Sequence, residues 1–260
     1  MDDVRIDLNA DLGESFGPWQ MGDDEAVLRS ITSANIACGY HAGDPGVMRR
    51  TVRMARAAGV AIGAHPGFPD LPGFGRREMR LSAQEVEDLV IYQVGALAGL
   101  AAAEGTRLAH VKAHGALYNM AVHDRTLSDA IAAAVRAVDR SLILFGLPGS
   151  ALLRSGEAAG LAVAAEGFAD RAYEPDGTLT PRSRTGAVIH DPDTVVERAI
   201  RMVSTGRVTA TDGSEIPLRI DTLCTHGDTR GASELTRRLR QALEGRGVVL
   251  RAPGARASHT

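Results

Sequence analysis

A single-domain α/β fold, a barrel of β/α units, is what this 260-residue sequence predicts. Three observations predict it. Short β-like runs alternate with longer amphipathic stretches along the whole chain. No linker, charge block or low-complexity segment interrupts the alternation. Most strand candidates end on polar, titratable residues, as expected where chemistry gathers on the C-terminal face of a barrel, whereas a doubly wound sheet concentrates such residues at one switch point. The length agrees, since such barrels reach about 250 residues as one unit. Residues 1–250 are assigned to the barrel and 251–260 to a disordered tail.

The elements follow in order. A strand over 4–9 leads into Asn9-Ala-Asp11, and one over 32–38 into Gly-Tyr-His41. Asp44 caps a helix with Pro45 at its first position and Gly59 at its stop. The strand over 60–64 runs into His65, and Ser82-x-x-Glu85 is a capping box for the next helix. That helix contains the most apolar window, 89–103, which Gln93 interrupts and Glu87, Asp88 and Glu104 flank. A membrane span needs roughly 20 apolar residues, so the window reads as a buried helix. Strands over 108–113, 142–145 and 161–166 follow, the first carrying Lys112 into His114 and the last ending at Glu166. A loop covers 167–186, Asp191-Pro192 opens a helix, and Thr211-Asp212-Gly213 centres a hairpin over 208–218. The seventh strand, 220–225, meets His226-Gly-Asp228, where Asp228 caps a helix ending near Gly245.

Composition excludes several function classes. With 29 basic and 32 acidic side chains there is no electrostatic footprint for nucleic acid, and 4% aromatic residues argue against a base-stacking platform or an aromatic carbohydrate groove. Two cysteines make no disulfide scaffold, and the N-terminus lacks a leader pattern, so a cytoplasmic protein without membrane association is expected. Neither a P-loop, a dinucleotide fingerprint nor a nucleophile elbow occurs.

Four histidines, His41, His65, His114 and His226, adjoin glycine or proline just after strands, where small neighbours let a ligand approach closely. Imidazoles with one carboxylate suit a divalent metal of open identity, with Asp11, His41 and His114 as its expected ligands. A metal-free acid/base role for the same side chains stays open. Asp11, Glu14 and Asn9 cluster after the first strand, as a functional rim or as a turn. Lys112 ends an apolar strand, where burial is expected to lower its pKa and fit it to stabilise charge or carry a proton; a salt bridge to Glu166 is the alternative. Arg171 and Arg182 are suited to gripping a carboxylate or phosphoryl oxygen, and the segment from Gly73 to Arg77 reads as a second anion turn or as surface. Cys38 and Cys224 read as buried fillers. His110 begins its strand on the opposite, stabilising face and is assigned no role.

Read together, these segments resemble the LamB/YcsF family. The resemblance rests on Asp7-Leu-Asn-Ala-Asp-Leu-Gly-Glu-Ser-Phe-Gly17, Ser33-Ala-Asn-Ile-Ala-Cys-Gly-Tyr-His-Ala-Gly-Asp-Pro45 and Gly63-Ala-His-Pro-Gly-Phe-Pro-Asp70 with Gly73-Phe-Gly-Arg-Arg77. It continues through His110-Val-Lys-Ala-His-Gly-Ala-Leu-Tyr-Asn119, Glu166-Gly-Phe-Ala-Asp-Arg171 and His226-Gly-Asp228. Ala10 and Ala113 stand where the family often has cysteine and proline. The resemblance implies a seven-stranded barrel of the glycoside hydrolase/deacetylase type. It further implies ATP-dependent opening of 5-oxo-L-proline to L-glutamate, with ATP as co-substrate and separate partner subunits B and C. Assembly with a second copy of the chain is left open. On this reading Asp11, His41, His65, Lys112, His114 and Glu166 are the expected catalytic residues, and Asn9, Glu14, Arg171, Arg182 and His226 bind substrate. A stand-alone metal-dependent deacetylase or amidase, and a noncatalytic 5-oxoproline-binding subunit, are the alternatives.

Overall fold

The computed structural model describes residues 4–226 and 231–254, apart from the His226 side chain. In chain order the strands are β1 (Arg5–Leu12), β2 (Ser33–Ala37), β3 (Ala61–His65), β4 (His110–Lys112), β5 (Ile143–Gly146), β6 (Ala162–Phe168), β7 (Arg207–Thr209), β8 (Glu215–Pro217), β9 (Thr222–His226) and β10 (Val249–Leu250). The first six pair in parallel in sequence order, β6 pairs with β9, and β9 returns to β1, closing a ring of seven. β10 extends the edge beside Arg5 and Ile6, and β7 and β8 form the expected antiparallel hairpin. The helices are α1 (Asp24–Leu28), α2 (Pro45–Ala57), α3 (Ala83–Ala103), α4 (Gly115–Met120), α5 (Arg125–Val138), α6 (Ala151–Ala158), α7 (Pro192–Thr205) and α8 (Ala232–Glu244).

The local signals act as the sequence suggests. Asp44 accepts hydrogen bonds from the Gly46 and Val47 amides, Ser82 and Glu85 close a reciprocal capping box, and Asp191 caps α7 ahead of Pro192. Asp228 lies outside the described residues. α3 is the one described helix with the length and composition to cross a membrane. Here it packs on α2, α5 and β3, with Val86, Val90, Val94, Leu97 and Ala101 fully buried. Gln93 is no interruption: its buried amide donates to the Gly67 and Leu89 carbonyls and accepts from the Gly67 amide, tying α3 to the loop after His65.

Inside the ring the chemistry is unusual for a barrel, whose interior is ordinarily branched aliphatic. Successive residues of a strand face opposite ways. On β1 this sends Ile6, Leu8, Ala10 and Leu12 to the apolar core and Asp7, Asn9 and Asp11 into the barrel. Strand ends therefore need correction. β1 runs on to Leu12 and β6 to Phe168, so Asn9 and Glu166 lie within the barrel, each 0% exposed, and not at the rim.

Asp7 forms the lowest polar layer. Its carboxyl accepts from Thr32 (2.5 Å), Ser33 (2.7 Å) and Thr222 (2.5 Å), yet burial outweighs these bonds and pushes its pKa up to about 6. A carboxyl whose folded pKa lies above its unfolded value contributes stability that is complete below pH ~4 and is lost as pH rises to ~6. A rise of that size corresponds to about 3 kcal/mol. Asp7→Asn is accordingly expected to gain about that much on the wild type between pH 4 and pH 8, measured by urea unfolding. An unchanged difference between the two pH values would refute it.

Candidate functional site

The site opens at the C-terminal end of the barrel as a cavity of about 370 Å³ whose lining includes Asp11, Glu14, His65, Lys112 and His114 together with Arg76, Arg171 and Arg182. His41, fully buried, stands behind His114 with its ring stacked on it at 3.7 Å. His65 ends β3, Lys112 ends β4, and His114 precedes α4. The turn over the histidines needs glycine at position 75, where φ is +64° and a Cβ would sit 2.8 Å from the Cβ of His41 and 2.9 Å from Cδ2 of His114.

Four possible ligands converge: one atom each from Glu14, His41, His65 and His114, all within 4.8 Å of one another and all buried. Carbonyl contacts set two of the tautomers. His65 Nδ1 donates to the Lys112 carbonyl (2.7 Å) and His114 Nε2 donates to the Phe74 carbonyl (2.9 Å). In neutral rings, His65 Nε2 and His114 Nδ1 then face each other at 2.9 Å as two lone pairs. Burial, followed by the charge of neighbouring imidazoles, holds the pKa of His41 and of His114 well below the usual histidine range. Neither ring nitrogen of buried His41 has a hydrogen-bond partner among the described residues. Lone pairs aimed at one point, with an orphaned imidazole beside them, fit a divalent cation. The expected set was Asp11, His41 and His114; the four converging atoms instead bring in Glu14 and His65.

Asp11 sits beside this cluster. Its Oδ1 accepts from Lys112 Nζ (2.8 Å) and Asn35 Nδ2 (2.8 Å), and its Oδ2 lies 3.3 Å from His65 Nε2. Lys112, 3% exposed, also forms an ion pair with Glu166 at 2.9 Å and donates to Cys224 Sγ at 3.1 Å. The expected lowering of its pKa is overturned. Burial does act downward, but the charges of Asp11, Cys224 and Glu166 outweigh it and hold the ammonium well above the ordinary lysine range. Cys224 is thus a buried neighbour of that ammonium, and Cys38 a filler whose thiol burial pushes up to about 12.

Arg171 Nε and Nη2 donate to the Ala187 and Thr180 carbonyls, so the guanidinium also braces the 167–186 loop; burial and then Arg182 lower its pKa to about 10. In the 73–77 turn, Arg77 is bound to Asp70, while Arg76 lies 4.9 Å above the Phe74 ring and lines the cavity. The sequence reading had Arg76 within an anion turn, but it passed over Asn35 and gave His110 no role. The signal for the last two was alternation, since Asn35 lies two residues after Ser33 and His110 two before Lys112. The side chain of His226 lies outside the described residues, although its backbone pairs with Asp11.

The sequence profile of the LamB/YcsF family matches residues 6–258. A protein from Methylococcus capsulatus, named as the A subunit of 5-oxoprolinase, is 61% identical over 249 residues, covering 96% of either chain. The crystal structure of a lactam utilization protein from Thermus thermophilus superposes with a TM-score of 0.90 at 51% identity, covering 95% of this chain and 99% of that one. A T48 deacetylase shares the fold alone, with a TM-score of 0.51 at 14% identity over 95% of this chain and 87% of the other. Full-length matches of this order leave one conclusion: the chain belongs to the LamB/YcsF family.

Proposed function

We propose that this chain is the lactam-opening subunit of a cytoplasmic, ATP-dependent 5-oxoprolinase, converting 5-oxo-L-proline to L-glutamate together with partner subunits B and C. The observation that carries the reading is the 61% identity, over nearly the whole length, to a protein named as the A subunit of 5-oxoprolinase. The cavity supports it. Its volume of about 370 Å³ is at the small end of the ligand-pocket range. Acid/base groups and three arginines in one cavity suit a small molecule with a hydrolysable amide and an anionic group.

Opening a lactam requires a water to add to the ring carbonyl and a proton to reach the departing nitrogen. Asp11, on the cavity wall with its Oδ2 3.3 Å from His65 Nε2, is the group that takes and returns that proton. Lys112 acts through its charge, holding Asp11 by a hydrogen bond and Glu166 by an ion pair in the buried floor of the site. Arg76, Arg171 and Arg182 hold the carboxylate or a phosphoryl group. Phosphorylation of the lactam oxygen by ATP would supply a better electrophile, and on this reading the chain, which carries no standard nucleotide motif, shares the handling of ATP with its partners. Glu14, His41, His65 and His114 would hold a divalent ion, which supplies Lewis-acid polarisation of an oxygen when bound.

The test is L-glutamate release from 5-oxo-L-proline by the full chain with its partners. The reading requires release that depends on ATP and falls about a thousandfold in Asp11→Asn. ATP-independent deacetylation of an N-acetyl sugar with no glutamate would replace it by a deacetylase, and full activity of Asp11→Asn by a noncatalytic binding role.

A further inference from the structure

We propose that His110 is a positioning residue for Asp11, acting through the side-chain amide of Asn35. The inference rests on the reading that Asp11 works on the substrate. Its basis is one rung of the barrel. Asp11 on β1 is in register with Asn35 on β2, Asn35 with Gly63 on β3, and Gly63 with His110 on β4. Three of these four neighbours point polar groups inward, and the fourth has no side chain. That gap is filled: a Cβ on Gly63 would lie 2.0 Å from His110 Nε2. The imidazole crosses above Gly63, stacks on Phe145 with ring centres 4.3 Å apart and planes 9° from parallel, and reaches Asn35 Oδ1 at 2.7 Å.

The polarity of this rung has one solution. Asp11 Oδ1, a carboxylate oxygen bonded to the Lys112 ammonium, only accepts, so Asn35 must turn its Nδ2 toward it. The second Nδ2 hydrogen goes to Asn9 Oδ1 at 2.7 Å. Asn35 Oδ1 is then left facing His110, whose Nε2 must carry the proton. A neutral ring supplies that proton from Nε2 alone, and burial followed by the nearby Lys112 charge holds the His110 pKa to about 3. The donated proton polarises the amide, which strengthens the bond Asn35 makes to Asp11. Without the His110 donor, the Asn35 oxygen would be buried without a partner. The amide, whose two N–H groups stay committed to Asp11 Oδ1 and Asn9 Oδ1, would then shift to bring its oxygen to another donor and draw Asp11 out of line.

Two variants separate positioning from packing. His110→Phe fills the slot between Gly63 and Phe145 but donates nothing, whereas His110→Gln keeps an N–H at similar reach. In the reconstituted glutamate assay, His110→Phe is expected to lower kcat about 30-fold with KM within twofold, and His110→Gln to recover to within about threefold. Two readouts do not involve turnover. Side-chain nitrogen NMR of the wild type should show His110 neutral and protonated at Nε2, and a crystal structure of His110→Phe should show Asp11 displaced from Asn35. A kcat for His110→Phe within twofold of wild type, equal losses in both variants, an Nδ1-protonated His110, or an unmoved Asp11 would each overturn the proposal. A wild-type complex that releases no glutamate would instead sink the lactam reading, while NMR and crystallography still decide whether His110 positions Asp11.

Discussion

Replacing Lys112 by methionine is expected to lower the melting temperature by about 10 °C and to stop turnover. The ammonium is 3% exposed and lies 2.8 Å from Asp11 and 2.9 Å from Glu166, itself fully buried. Removing one member of a buried ion pair leaves its partner desolvated, at a cost of about 3–5 kcal/mol. At about 2–4 °C per kcal/mol for a chain of this size, the loss spans the shift proposed. Here two carboxylates lose one shared cation. The sign with pH follows: unpaired and buried, both take pKa values above their unfolded ones, so the deficit should shrink at pH 5 and grow toward pH 8. A triple variant, Lys112→Met with Asp11→Asn and Glu166→Gln, removes the stranded charge and should regain most of the stability but none of the activity. Calorimetry of the three proteins at both pH values checks this. A single variant melting within 2 °C of wild type at pH 8 would show that the ammonium does not hold the two carboxylates in place.

Much of this arrangement was legible from residue order, and the exceptions have a common cause. Asp44-Pro45, the Ser82 to Glu85 box and Asp191-Pro192 open their helices as read, because caps are local chemistry. The strands were placed within a few residues of where they lie, and polar residues at their ends pointed to the C-terminal face. The reading failed where a strand ran on past its first polar residue. Asn9 and Glu166 looked like rim groups because a polar residue was taken to end an apolar run, whereas in this barrel the inward face is itself polar. The same assumption hid His110 and Asn35. With His110 taken as the base of its strand, nothing local shows that Gly63, 47 positions earlier, leaves the space its ring occupies. The pKa of Lys112 failed for a related reason: burial was foreseen, but the two carboxylates that overcome it come from β1 and β6, and only closure of the ring brings them to one nitrogen.

The second large effect concerns the histidine cluster. The isolated full chain is expected to bind one zinc or manganese ion, with His65→Ala and His114→Ala each weakening it at least about a hundredfold, or about 2.7 kcal/mol. The competing set, read from sequence, is Asp11, His41 and His114, and Asp11→Asn tells the two apart. Asp11 lies outside the four converging residues, with its Oδ1 held by Lys112 and Asn35, so it supports the site from beside it, and the variant should lose no more than about tenfold. Glu14 Oε1, by contrast, lies 3.6 Å from His41 Nε2 and 3.8 Å from His114 Nδ1, separations near the ~3.3 Å between neighbouring ligand atoms of a tetrahedral zinc site. Glu14→Gln should therefore weaken binding more than Asp11→Asn does. Titration calorimetry of the four variants decides the order. A larger loss in Asp11→Asn than in Glu14→Gln would restore the set built on Asp11, and absence of binding by wild type would leave the facing lone pairs of His65 and His114 to a shared proton.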